Sequence, residues 1–326
     1  MEGVEHTANG GTEQVLSDEQ AKIYDRQIRL WGVESQGRLL RTRVLVYGMT
    51  GLCTEICKNI VLSGVGHVHI MDDQKVNHLD LGCNFLVRES DVGENRAKAC
   101  FPNLQELNPL MKVTFEEGSL SEKPSEFYDA FDFVILNNVP LDLQINVNNI
   151  CRQKNILFIS TTSFGLFVLS FQDYLDNFNY KIKTPQIVEK TESFVSLEKS
   201  LQHDLSKQRH LSKVWLSVML LLIYQSVNKC LPSINDGEKL IEFKNSGAVQ
   251  KVIPHVTLKQ LDLIDSEFAT FLCKFANTEI NSVCAIAGGE IGQEIISIIT
   301  RDRKPLNNYF IYDAFQTFSG IIETFH

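Results

Sequence analysis

This 326-residue chain is short of positive charge, with 31 Lys and Arg against 40 Asp and Glu and a formal net charge of −9. That excludes a nucleic-acid binder whose affinity rests on phosphate contacts across its surface, though not a local basic patch. The eight cysteines (Cys53, Cys57, Cys83, Cys100, Cys151, Cys230, Cys273 and Cys284) contain no C-x-x-C pair, so neither a zinc knuckle nor a thioredoxin motif is expected. They are scattered in mostly apolar company, as reduced, buried thiols are. The most apolar run, Trp215 to Tyr224, holds about ten residues against the ~20 that span a bilayer, and reads as buried helix. Residues 1–12 are polar without an apolar signal core, so secretion is not expected. There is no internal repeat, no low-complexity segment and no strong basic import cluster. Composition therefore leaves cytosol and nucleus equally open.

What is present supports a sizeable core: 44% of residues are apolar, and the length suits one large domain or two modest ones. Residues 1–16 read as disordered. Ser17 with Gln20 three residues on is a capping-box start, and a helix is expected to run on through Tyr24-Asp25-Arg26-Gln27-Ile28-Arg29-Leu30-Trp31-Gly32. Arg26 and Arg29 then share one helix face. Their guanidinium forks suit phosphate or carboxylate; two solvated surface arginines are the plain alternative.

Arg43 to Tyr47 is a strand entering the turn Gly48-Met49-Thr50-Gly51. Helix follows over 52–62, then the strand His67 to Met71, ending at Asp72-Asp73. This βαβ succession implies a parallel sheet. A strand at Phe131 to Leu136, a helix at Asn146 to Lys154 and a strand at Ile156 to Ile159 continue the alternation to about residue 175. The polar stretch 180–211 reads as loop or crossover. Ser212 to Cys230 and Leu258 to Phe275 read as helices, separated by a turn at Pro232 to Gly237. Gly288-Gly289 is expected to open a helix over Glu290 to Ile299, and Tyr309 to Tyr312 to add a strand. The expected fold is a doubly wound, Rossmann-like α/β domain formed by 17–178 and 276–326, with 179–275 as a crossover and mainly helical insertion.

A phosphate-binding βα turn uses glycines for tight geometry and close backbone approach, and offers the helix N-terminus to the anion. Here Gly48 and Gly51 are in place, but Cys53 stands where a third glycine aids packing, and Thr50 where another small residue lets a phosphate approach. Asp72, 24 residues after Gly48, sits where an acid binds ribose hydroxyls. A working nucleotide site, a structural relic and an ordinary tight turn all remain open on these residues.

In chain order, Tyr24–Gly32, the Gly48–Glu55 turn, Asp72, Asp91-Val92-Gly93-x-x-Arg96-Ala97 and Gly288-Gly289-x-x-x-Gln293-Glu294 resemble the adenylation fold of ubiquitin-like-protein activating enzymes, a ThiF-type fold. The resemblance covers about 18–175 and 276–326 and is poor over 180–270, where related subunits carry a segment that helps frame the catalytic-cysteine domain. The length, together with Gln293-Glu294-Ile295 and Asn307-Asn308-Tyr309-Phe310-Ile311-Tyr312-Asp313, is similar to the smaller subunits of heterodimeric SUMO-activating enzymes. In that family the whole enzyme binds ATP and magnesium, adenylates the modifier's C-terminal glycine and passes it to a cysteine.

The resemblance implies losses here. Gly82-Cys83-Asn84-Phe85 replaces an Asn-Arg-Gln-Phe stretch, so the arginine becomes Cys83. Val139 stands at the magnesium-binding aspartate, and Arg96 at a lysine used on the phosphates. Without charge at 83 and 139, a triphosphate and its metal lose their neutralising groups. A subunit unable to adenylate alone is implied, with no cofactor or metal of its own and with Gly48, Gly51 and Asp72 as a degenerate, unoccupied pocket. The implied partners are a larger, cysteine- and zinc-bearing subunit holding ATP and magnesium, and the SUMO modifier; nucleic acid and membrane are not implied. Arg26 would reach the partner's ATP in trans as an arginine finger, with Arg29 either sharing that role or pairing with an acid of its own chain. The implied location is the nucleus, with the cytoplasm as a second site. The rivals are a self-sufficient nucleotide enzyme, either an NAD-dependent oxidoreductase or a sulfur-carrier adenylating enzyme, and a pure scaffold.

Two other groups of side chains carry reactive or ligating atoms. Cys230 and Cys273 each adjoin a lysine, which favours a thiolate, but both lie on apolar helical runs and are expected to be packed. His67 and His69 alternate on a strand without a third ligand, so packing is favoured over metal.

Overall fold

The computed structural model describes residues 16–183, 186–205, 211–315 and 320–323. The disorder expected for 1–16 falls, apart from residue 16, outside the described residues. Strands β1 (Arg43–Tyr47), β2 (His67–Asp72), β3 (Lys112–Glu117), β4 (Phe133–Asn137), β5 (Leu157–Phe164) and β6 (Phe167–Asp173) are joined by a late pair, β9 (Tyr309–Asp313) and β10 (Gly320–Glu323), in one sheet of order β10-β9-β6-β5-β4-β1-β2-β3. The β3-β2-β1-β4-β5 half is parallel, and β6, β9 and β10 add antiparallel. Strands β7 (Phe178–Lys183) and β8 (Ile187–Glu192) form a separate antiparallel ribbon.

The central strands are apolar on both faces because both faces are covered. In β1, Leu45 and Tyr47 enter one core while Val44 and Val46 enter the other; in β4, Val134 and Leu136 oppose Phe133 and Ile135. This is the two-residue alternation of a strand feeding two layers.

Helices α1 (Asp18–Ile23), α2 (Asp25–Trp31) and α3 (Val33–Arg41) lead into β1. The Ser17–Gln20 capping box forms as expected. The single helix expected through Arg26 instead breaks at Tyr24, whose ring is fully buried and whose hydroxyl accepts from Asn108. Helices α4 (Gly51–Leu62) and α5 (Arg96–Glu106) contribute to one core and α6 (Leu141–Lys154) to the other. The segment expected as loop over 180–211 contains the β7–β8 ribbon and α7 (Leu197–Leu201). Beyond it come α8 (Lys213–Asn228), α9 (Gly237–Asn245), α10 (Ala248–Val252), α11 (Leu258–Leu261) and α12 (Ser266–Phe275). The expected 258–275 helix is therefore two, because Asp265 caps the second one by accepting from Phe268 N–H.

Helix α8 is buried along most of its length against β6, β9 and α6, and Trp215 meets the Tyr309 ring edge-on. The helical segment thus shares a core with the sheet.

Helix α13 (Asn281–Thr300) starts nine residues earlier than its glycines suggested. Gly288 and Gly292 lie inside it and let it press onto α4: a Cβ at either would come within 2.6 Å of Glu55 Cβ or 2.7 Å of Asn59 Cβ. This helix is long and apolar enough to cross a membrane by length and composition, but 72% of that window is buried, as in the core helix of a globular fold.

Candidate functional site

The strand order reverses between β1 and β4, and α/β folds bind ligands at the carboxyl ends of such strands. Gly48 leaves β1 at φ +94°, and a Cβ there would lie 2.2 Å from the Asn137 carbonyl oxygen. Only glycine fits both demands. The Asn137 amide donates to Gly48 O at 3.0 Å and to Thr50 Oγ1 at 2.7 Å. The turn is therefore held tight, and α4 begins at Gly51 with its first N–H groups directed at a single carboxylate.

That carboxylate belongs to Glu279, which lies outside every motif in the sequence. It follows α12 and sends its carboxylate onto the start of α4. Gly51 N–H donates to Oε2 at 2.6 Å, Thr50 Oγ1 and Asn138 Nδ2 donate to Oε1 at 2.8 and 3.0 Å, and Leu52 N–H lies 3.4 Å from Oε1. Asn138 adopts φ +51° to aim its amide, a conformation asparagine tolerates better than most residues. Burial pushes the Glu279 carboxyl above its ordinary range, against these hydrogen bonds, which pull it down. No local pattern marks Glu279; it lies 228 residues from Gly51.

Asp72 is turned inward. Its carboxylate accepts from Met49 N–H (2.6 Å), Gln74 N–H (2.8 Å), and Arg96 Nε and Nη2 (3.0 and 3.2 Å). Arg96 also reaches Asp80 at 3.5 Å. The Asp72 acceptors and the Arg96 fork are thus largely consumed by each other. Cys83 is buried with Sγ 3.6 Å from Glu279 Oε2, and its thiol is pushed up to about 12 by burial and then by that carboxylate. Val139 is buried and offers no charge. A cleft of about 570 Å³ lined by Gly48, Asp73, Asn137 and Val139 adjoins a smaller cavity of about 180 Å³ at Cys83 and Glu279; Thr50, Arg96 and Asn138 line both. Cys53, at the third glycine position, is buried in α4.

The two arginines of α2 stand apart from this cleft's lining. No α2 residue is buried, and Leu30 is 67% exposed. Arg29 pairs with Asp25 one turn back at 3.0 Å. Arg26 is exposed and has no hydrogen-bond or ion-pair partner among the described residues.

Cys273 is buried as expected, its thiol pushed up to about 11 by burial. Cys230 differs: it is exposed just past α8, because the helix ends at Lys229 in the left-handed conformation. His67 Nε2 and His69 Nδ1 both hydrogen-bond Thr114 Oγ1, at 2.7 and 2.8 Å, and burial lowers both imidazoles.

The family model described as ThiF family matches residues 24–325. SUMO-activating enzyme subunit 1 of Dictyostelium discoideum is 34% identical over 316 residues, covering 95% of this chain and 94% of that protein. The Homo sapiens protein of the same description is 30% identical over 350 residues, covering 97% of each. The Arabidopsis thaliana subunit 1B-1 is 31% identical over 323 residues. A solved structure of PaaA superimposes with a TM-score of 0.59 over 98% of this chain and 78% of that one, at 17% identity, which speaks to the fold alone.

Proposed function

Because the chain belongs to the ThiF family and, within it, to the SUMO-activating enzyme subunit 1 group, we propose that it is the accessory half of a heterodimer. In this reading a larger subunit binds ATP and magnesium, adenylates the SUMO modifier and carries the thioester cysteine. This chain supplies Arg26 in trans and does not adenylate alone.

The division of charge carries this reading. A triphosphate needs cations and a metal ligand at the turn. The cleft and its side cavity offer Glu279, Asp73 and Asp80, an Asp72–Arg96 pair that is already closed, a Lys229 that pairs with Asp142 at 3.4 Å, and neutral Cys83 and Val139. Arg26, a guanidinium without a partner among the described residues, lies outside the cleft, on α2. A fixed cation brought to a partner's phosphates stabilises charge as pyrophosphate leaves.

The test is reconstitution with the larger subunit and measurement of ATP–pyrophosphate exchange. Arg26→Ala lowers exchange by at least about tenfold, since fingers contribute roughly 10³–10⁵ in phosphoryl transfer, while circular dichroism and complex formation stay unchanged. Unchanged exchange would leave only a scaffold role. Exchange by the purified chain alone would make it a self-sufficient adenylating enzyme.

A further inference from the structure

We propose that Glu279 is an autoinhibitory contact: an internal carboxylate seated where a phosphate would bind, which bars the remaining cleft to phosphate-bearing ligands. This deepens the reading of a chain that does not adenylate alone, but it stands on geometry independent of Arg26.

The carboxylate is delivered by a braced segment. Gly165 N–H, in the turn between β5 and β6, donates to Thr278 O at 2.8 Å, and Gly165 forms a parallel bridge with Glu279. A Cβ at Gly165 would lie 2.5 Å from Phe275 Cβ, so the end of α12 is pressed onto this turn. The backbone of Glu279 is therefore fixed against the sheet while its side chain spans to α4.

The seat is shaped for an oxyanion. A Cβ at Gly51 would come within 2.8 Å of Cys83 Cβ and 2.9 Å of Glu279 Oε2, so the close approach that glycine ordinarily allows a phosphate is used by the Cys83 side chain and the carboxylate together. The donors come from three origins: the first turn of a twelve-residue helix, the Thr50 hydroxyl and the Asn138 amide. Room is still present beside it, in the cleft of about 570 Å³ that shares Thr50, Arg96 and Asn138 with the cavity around Glu279. A second anion at the α4 terminus would meet Glu279 at contact distance, and the cations lining the cavities among the described residues, Arg96 and Lys229, are engaged by Asp72, Asp80 and Asp142. Carboxylate and phosphate are thus mutually exclusive there.

The experiment uses the purified full chain with inorganic phosphate as the probe and sodium chloride at matched ionic strength as the control. Glu279→Ala lowers the melting temperature, and phosphate restores at least half of that loss where chloride does not. In amide spectra the Gly51 and Leu52 signals shift with phosphate in the variant and stay in place in the wild type. Should the alanine variant fail to fold, Glu279→Ser likewise withdraws the side chain from the Gly51 and Leu52 N–H groups and carries the same readout. Absence of any phosphate-specific shift at Gly51 and Leu52 in whichever variant folds overturns the proposal, as does an equal shift in the wild type. Partner subunit and ATP are absent from the measurement, so its failure is separate from that of the Arg26 test.

Discussion

Arg26 and Arg29 share a helix but differ in what holds them, and that difference assigns separate consequences to each. Arg29 is 79% exposed and already paired with Asp25 at i,i+4. Such a pair stabilises by ~0.2–0.5 kcal/mol, so Arg29→Ala shifts a urea midpoint only slightly and leaves exchange in the reconstituted complex near wild type. Arg26→Ala has no internal partner to lose, so its effect appears in exchange and not in folding. A second residue-scale consequence concerns Glu294, which is buried in α13 and accepts from Leu306 N–H at 2.8 Å. Burial raises its carboxyl from 4.5 to about 7, against the pull of that N–H and of Arg303. The folded pKa thus lies above the unfolded one, so the folded state holds the extra proton between about pH 4.5 and 7. Stability contributed by this group is full below that window and is lost as pH rises through it. The cost above pH 7 is about 3 kcal/mol, at ~1.4 kcal/mol per pH unit of displacement. Glu294→Gln does not ionise, so its melting temperature gains on the wild type as pH is raised from 5 to 8. A constant difference across that range would show that Glu294 titrates normally.

At the scale of elements, the contact between α4 and α13 is set by which glycines face it. Gly288 and Gly292 face α4, whereas a Cβ on Gly289 meets nothing within 4 Å. Two adjacent Gly→Ala changes therefore have opposite signs. Gly288→Ala drives a methyl into Glu55 and costs about 1–3 kcal/mol through overpacking. Gly289→Ala contributes ~0.5–1 kcal/mol by restricting the unfolded chain and favouring helix. Urea denaturation of the isolated chain reads both; equal destabilisation would mean that α13 sits differently on α4. Read from sequence, Gly288-Gly289 marked a helix start, because glycine is a local breaker. Its use for close approach becomes visible only when the second helix is in place. Tyr24 is the converse case: its phenol is anchored by Asn108 and interrupts what the sequence presents as one continuous helix.

At the scale of the molecule, the helical segment contributes to the same apolar cluster as β1, β4, β5, β6 and β9. The expected outcome is one cooperative unfolding event. In a Trp31→Phe variant, Trp215 is the remaining tryptophan of two, and its fluorescence transition in urea coincides with the far-UV circular dichroism transition. Separation of the two curves would mean that the segment melts on its own.

The βαβ start, the Ser17 capping box, the Gly48–Gly51 turn and the apolar α8 were legible in sequence because each rests on neighbours a few residues apart, where periodicity and turn chemistry act. Family membership was legible for a similar reason, since the resemblance is carried by short runs such as Tyr24–Gly32. What fills the pocket was decided by tertiary structure alone. Glu279 reaches Gly51 across 228 residues of chain, and Arg96 closes on Asp72 across 24. Neither pairing leaves a pattern in local spacing, because a buried charge is recruited by whichever partner the fold brings within hydrogen-bond distance, and chain order does not enter that energy.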